Sequence, residues 1–270
     1  MNEVSATTGD RWSSGDAYDL YMGRWSRLLG PAFLAWLRPE RSAHWLEVGC
    51  GTGALTSGIC ALCEPESVVA CDQAAAFVER ARLSLPDSRV VYVVATADAL
   101  PIRREGFDVI VSGLVLNFIA EPSAALTAMR ERARPGGIVA AYVWDYAGGL
   151  EFLRYFWDEA VARDPGASEL DEARRFGAWQ LSKLVSLFKS AGLVDIETTT
   201  IGIQTDFVDF DDYWKPFLGG TGPAPSHVAS LSQPERELLA ERLKARLSMT
   251  PDGSIRLKAR ALALRGVRTP

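Results

Sequence analysis

The stretch "LEVGCGTGA", residues 46–54, passes from an apolar run into glycines at 49, 51 and 53, with an acid, Glu47, just before the first. Glycine costs backbone entropy, so three at alternate positions need a reason: a positive φ, or another group lying close against the backbone. A plain turn explains one of them, and a loop that cradles a ligand explains all three. Two more acids follow apolar runs, Asp72 after "SVVAC" and Asp98 within "TADALP". Written loosely, Gly49, Gly51 and Ala54 meet the dinucleotide fingerprint, whose third glycine can be alanine. Glu47 argues against a dinucleotide, because its carboxylate would face a diphosphate with like charge. The same carboxylate suits an ammonium group. Asp72 is placed to accept from both hydroxyls of a ribose, or more simply to cap the helix that follows it. Asp98 is placed to accept from an exocyclic adenine amine. The chain thus offers an amine site, a ribose site and an adenine site in order, and no phosphate site.

These residues need elements to hold them at one edge. Strands are predicted at 44–48, 67–71, 89–95, 107–113 and 138–144, with "PGG" (135–137) as a turn before the last. Helices are predicted at 53–63, 74–84 and 123–133, the second stopped by Pro86 and the third opened by Pro122. Near-continuous Val, Ile and Ala runs mark strands buried on both faces, and the alternation with helices gives a parallel sheet covered on both sides. Ligands of such sheets bind beyond the C-terminal strand ends, where the strand order reverses. The glycine loop follows the first strand and so stands there. After Trp144 the rhythm changes: helices at 149–163, 178–190 and 234–247, long strands at 193–207 and 254–267, and a Gly/Pro-rich loop, "GGTGPAPS", at 219–226. We expect one domain over 1–270, with a helical lid at 1–40 and a cap at 205–253 inserted between the last two strands.

Bulk properties exclude several classes. The 270 residues are 48% hydrophobic and 23% charged, with a net charge of −5 and no basic run, so no nucleic-acid footprint is expected. The N-terminus is polar and acidic, unlike a targeting segment. The longest strongly apolar stretch, 107–120, is too short for a bilayer and contains Asp108 and Asn117. No membrane contact and a cytoplasmic location are therefore expected, with the four cysteines reduced. Cys60 and Cys63 form a C-x-x-C without a second pair or a nearby His. They read as small buried hydrophobes, and no metal is expected.

"LEVGCGTGAL" resembles the first motif of class I S-adenosylmethionine-dependent methyltransferases. Asp72 resembles their ribose acid, "ATADALP" their adenine loop, and "RPGGIVAAYVW" the segment leading into their fifth strand. The resemblance covers roughly residues 40–145. It implies a Rossmann-like α/β fold with a seven-stranded, mostly parallel sheet, whose last strand runs antiparallel between the fifth and sixth. It also implies S-adenosyl-L-methionine as cofactor and S-adenosylhomocysteine as product. The chain is similar to the small-molecule methyltransferases of the ubiquinone- and menaquinone-biosynthesis type. Cofactor contacts are then expected from Glu47, Gly49, Cys50, Gly51, Asp72, Gln73, Ala97, Asp98, Ala99, Gly113 and Leu114. In similar enzymes an amphipathic N-terminal segment, here 18–37 with Tyr18 and Tyr21, folds over the cofactor. Tyr21 and Arg24 would then lie nearest to it, with Arg24 paired to the methionine carboxylate.

Catalytic groups are fewer. Similar enzymes often carry a His after the fourth strand; here Asn117 stands in that stretch, able to orient a carbonyl or hydroxyl but not to act as a base. Tyr142 and Asp145 end the fifth strand on the same edge. His44 opens the first strand at the opposite end. His227, beside the Gly/Pro loop, is expected to be solvated, with general-base catalysis as its alternative role. Phe118, Trp144, Tyr146, Phe156, Trp157, Trp214 and Phe217 fall in segments around the edge and point to an apolar or aromatic small-molecule acceptor. Two other functions stay open: a cofactor-binding regulatory or scaffolding protein without turnover, and an NAD-linked oxidoreductase, against which Glu47 stands.

Overall fold

Five apolar runs of the first half become parallel strands: β1 (His44–Val48), β2 (Ser67–Asp72), β3 (Val90–Val94), β4 (Phe107–Gly113) and β5 (Ala133–Trp144). The structure, a computed structural model, describes residues 19–220 and 222–269. β6 (Leu193–Phe207) and β7 (Ile255–Arg268) complete a seven-stranded sheet in the order β3-β2-β1-β4-β5-β7-β6. β7 runs antiparallel to β5 and lies between it and β6. Trp45, Leu46, Ile110 and Val111 in β1 and β4 are fully buried, which is why these strands lack polar alternation. The strand order reverses between β1 and β4, so the loops after them flank the crevice where such sheets bind ligands.

The described residues pack as two compact units. One holds residues 25–144, 179–201 and 261 onward, and with them β1 to β5. The other takes residues up to 24, 145–178 and 202–260, so the segment expected as a cap is one of three that build it. Its helices are Glu151–Arg163, Glu172–Phe176, Phe210–Trp214, Pro223–Ser230 and Gln233–Arg246. Aromatic rings form its core. Phe156 and Phe217 stack with centroids 4.6 Å apart, and the Tyr213 hydroxyl donates to the Phe152 carbonyl at 2.8 Å. Arg246 reaches Asp158 and Glu159 along its surface.

Two local expectations need correction. "PGG" is not a turn ahead of the fifth strand but a bulge within it. Pairing with β4 jumps from Phe107↔Ala133 to Val109↔Ile138, and Gly136 takes φ 74°. The Gly/Pro stretch expected as loop instead begins a helix, Pro223–Ser230. Proline fits a first helical turn, where its missing N–H would have had no partner, and the glycines act only before it, Gly220 and Gly222 having φ 67° and 97°.

Among the described residues no helix is long and apolar enough to cross a membrane. The four cysteines are free thiols and all buried, and burial pushes Cys60 and Cys63 up to about 11 and Cys71 up to about 12.

Candidate active site

The glycine loop is tied down by the end of β2: the Gly49 and Cys50 N–H groups both donate to the Cys71 carbonyl, at 2.8 and 2.9 Å. Gly49 has φ 77°, and a Cβ there would come within 2.6 Å of the Val115 side chain, so both backbone and space demand glycine. Gly51, at φ 53°, is different. A Cβ there would meet nothing within 4 Å, which leaves the backbone open to an approaching ligand.

Two carboxyls flank this loop. Glu47 is 2% exposed, accepts the Thr56 hydroxyl at 2.6 Å, and is pushed up to about 8, chiefly by burial, with the Asp72 charge adding to it. Asp72 is also raised, again chiefly by burial, while the N–H groups of Ala74 and Gly51 donate to its two oxygens at 2.9 and 3.0 Å. The bond from Ala74 is the helix-capping contact expected of an acid here. Each oxygen of an ionised Asp72 retains a second lone pair for a ligand hydroxyl. Two acids held in each other's field make a site short of positive charge. An ammonium or sulfonium fits it, and a diphosphate would worsen the repulsion.

Beyond β2 and β3 lies a cleft of about 400 Å³, walled by Gln73, Val93, Val94, Ala95, Thr96, Ala99 and Pro101. Its mainly apolar walls suit a flat ring. Ala97 and Asp98 form the turn beside it, and a hydrogen bond from the Thr96 hydroxyl holds the exposed Asp98 carboxyl below its ordinary value. After β4 the backbone turns sharply: Leu114 adopts φ 62°, rare for a residue with a side chain, and its N–H donates to the Tyr142 carbonyl at 2.8 Å. Gly113 faces Tyr142 across the ladder, and a Cβ at 113 would lie 2.6 Å from the phenol oxygen. The bend delivers Asn117, which is 6% exposed and has no partner for either amide atom. A buried amide left unsatisfied is unfavourable by about 1–3 kcal/mol and calls for an explanation, such as a ligand.

All these residues belong to the first unit. Tyr21, Arg24 and His227 belong to the second. Arg24 forms a two-pronged ion pair with Asp212, at 2.8 and 3.0 Å, and lies 5.1 Å from the Phe207 ring. Tyr21 packs edgewise on Phe217 and Phe152. His227 is not solvated as expected: it is 6% exposed on the helix Pro223–Ser230, against Phe156 and Trp157, and burial lowers its pKa. Asp145 is engaged by Arg260, whose Nε donates at 2.9 Å. His44 at the far end of β1 meets the Ser67 hydroxyl at 2.8 Å. Tyr18 lies outside the described residues.

One group escaped the sequence reading. Glu172 is 3% exposed, accepts the Trp157 indole N–H, and is pushed up to about 7 by burial. Within "SELDEARRF" it looks like one acid of a solvated turn, and no local pattern marks it as buried.

A family described as a methyltransferase domain matches residues 46–141. A ubiquinone biosynthesis O-methyltransferase of Cereibacter sphaeroides is 34% identical over 103 residues, 37% of this chain and 41% of that protein. One of a Chelativorans species is 31% identical over 131 residues, 40% and 49% of the two chains. The chain therefore matches less than half the length of these curated relatives. Among solved structures, the YcgJ protein of Bacillus subtilis shares the fold with a TM-score of 0.56 at 15% identity, covering 89% of this chain and 98% of that one. Haemonchus contortus phosphoethanolamine N-methyltransferase 2, solved with S-adenosyl-L-methionine, gives a TM-score of 0.57 at 17% identity, covering 95% and 57%. The matched segment runs from within β1 into β5 and takes in the glycine loop and both acids. Residues 46–141 form a methyltransferase domain of the class I, S-adenosylmethionine-dependent kind.

Proposed function

We propose that the chain as a whole is a methyltransferase that passes a methyl group to a small, apolar or aromatic acceptor. The observation that carries this reading is the acid pair, buried Glu47 and half-buried Asp72, beside a loop whose backbone is open at Gly51. S-Adenosylmethionine, when bound, supplies a methyl group on a positively charged sulfur. Glu47 would hold its ammonium, Asp72 its ribose hydroxyls, and the cleft between Gln73 and Ala99 its adenine, with Asp98 at the ring's edge. Cys50, Gly113 and Leu114 line the approach through their backbone.

Methyl transfer is an in-line displacement, and much of its rate comes from holding the acceptor in line while excluding water. The unpartnered Asn117 amide and the buried Tyr142 phenol are the groups that orient the acceptor. Neither is a base at neutral pH, so positioning dominates the chemistry. The names of the curated relatives support an aromatic, oxygen-bearing acceptor. Calorimetry tests the reading: S-adenosylhomocysteine should bind and NAD should not, and methyl-donor consumption should then follow on adding one of a panel of phenols. Binding of NAD in place of S-adenosylhomocysteine overturns it.

A further inference from the structure

In the second unit, two buried donors lack acceptors beside a buried acid. Tyr21 is 3% exposed, and its phenol oxygen has no hydrogen-bond partner. Arg154 gives both terminal nitrogens to Asp171, which leaves its buried Nε–H without an acceptor. Glu172 uses one carboxyl oxygen for the Trp157 indole. The three groups share one neighbourhood: Tyr21 packs edgewise on Phe152, two residues before Arg154, and Arg154 binds Asp171, the residue before Glu172. The Tyr21 phenol is raised first by burial and next by the Glu172 charge, with Arg154 opposing, and Arg154 also acts on Glu172. Tyr146 and Tyr213 face the same phenol, Asp171 faces Glu172, and Phe176 packs on Tyr146 with centroids 5.2 Å apart.

Each stranded donor carries a desolvation penalty that no protein contact offsets, a pattern that marks a missing partner. The partner's chemistry follows from the donor set. It must offer lone pairs to an O–H and an N–H, and a hydrogen to a carboxylate. A hydroxyl does all three. An ammonium has no lone pair and would sit beside the Arg154 guanidinium, and a carboxylate would meet Glu172 with like charge. The surrounding rings favour an aromatic body for the molecule that carries it.

We propose that Tyr21, Arg154 and Glu172 form a recognition site for the hydroxyl group of an aromatic small molecule, a reading that goes beyond the methyltransferase proposal and does not rest on it. It assigns Tyr21 to this molecule and not to the cofactor.

The test titrates p-cresol, benzylamine and benzoate into the protein by calorimetry, with and without S-adenosylhomocysteine. We expect p-cresol to bind at least about fivefold more tightly than either charged probe, the range of a satisfied buried hydrogen bond. Tyr21→Phe should weaken p-cresol by a similar factor yet raise the melting temperature of the ligand-free protein by about 2 °C or more, because it deletes a stranded hydroxyl. A purely structural tyrosine with the same stranded hydroxyl would give the stabilisation but not the loss of p-cresol affinity, so the affinity marks the site. Glu172→Gln, which keeps an acceptor for Trp157, should weaken p-cresol as well. Absence of p-cresol binding up to its solubility, equal or tighter binding of benzylamine or benzoate, or unchanged p-cresol affinity in Tyr21→Phe overturns the site. Binding of p-cresol with the variant pattern above but none of S-adenosylhomocysteine supports the site while overturning the methyltransferase reading.

Discussion

Glu47 is buried and Asp72 half-buried, and burial is the largest influence on both carboxyls. With its carboxyl pushed up to about 8, Glu47 is mostly protonated at neutral pH in the ligand-free protein. The proposed pairing with an ammonium requires the ionised form, so on that reading cofactor binding expels a proton. Calorimetry in buffers of different ionisation enthalpy should show release of about one proton per S-adenosylhomocysteine at pH 7, falling towards zero above the raised pKa. Affinity should therefore rise with pH through this range, and Glu47→Gln should flatten it. Asp72→Ala should weaken binding by about 1.5–3 kcal/mol, the scale for a hydrogen-bonded charged partner. Asn117 breaks no bond when truncated, since neither amide atom has a partner. Asn117→Ala should not lower the melting temperature, because it deletes a stranded amide, and should raise the barrier to turnover by about 1–3 kcal/mol. His227→Ala should do the reverse. Emptying its place between Phe156 and Trp157 should lower stability by about 2–4 kcal/mol, while turnover per folded molecule stays within about threefold.

Strands are legible when both faces are buried and their ends are sharp. The apolar runs 44–48 and 107–113 match β1 and β4 residue for residue, because Gly49 and Gly113 close both without a bulge. β5 is legible only from Ile138 onward. Its first residues pair across Pro135–Gly137, and a bulge with a proline and two glycines reads locally as a turn. The helix Pro223–Ser230 is hidden for a related reason, since its two prolines break helices everywhere except in a first turn. The glycine loop could be read because its signal lies within nine residues of sequence. Glu172 could not, because the indole that engages it, Trp157, stands on a separate helix fifteen residues earlier. The β4–β5 ladder supplies a test at this scale. Gly113→Ala would place a methyl group 2.6 Å from the Tyr142 phenol oxygen, so the ring must move. A loss of about 1–3 kcal/mol in chemical denaturation is expected, the usual effect of overpacking. Leu114 and Asn117, directly downstream, would be displaced with it.

The protonated acids give the whole molecule a pH signature. Glu47 and Glu172 have an ordinary value of 4.5 and rise to about 8 and about 7 in the folded chain. Between those limits the native state binds more protons than the unfolded chain, so stability must fall as pH rises from about 5 to about 8. Thermal melts at pH 5.5 and pH 8 should differ by several degrees, with the lower pH the more stable, and saturating S-adenosylhomocysteine should reduce the Glu47 share. The order of strands carries a consequence for biosynthesis. The edge of β5 is covered by residues 261–267 of β7, while β6, on the far side of β7, leaves the ribosome before it. From its own synthesis until residues 261–267 follow, β5 therefore presents an unpaired edge, and β6 emerges with no neighbour beside which to lie. The last long strand must slide between two that are already made. The second unit, too, waits for residue 260. A nascent chain of this protein is a natural client for a holding chaperone, and codon-level slowing within the final strand would prolong that exposure.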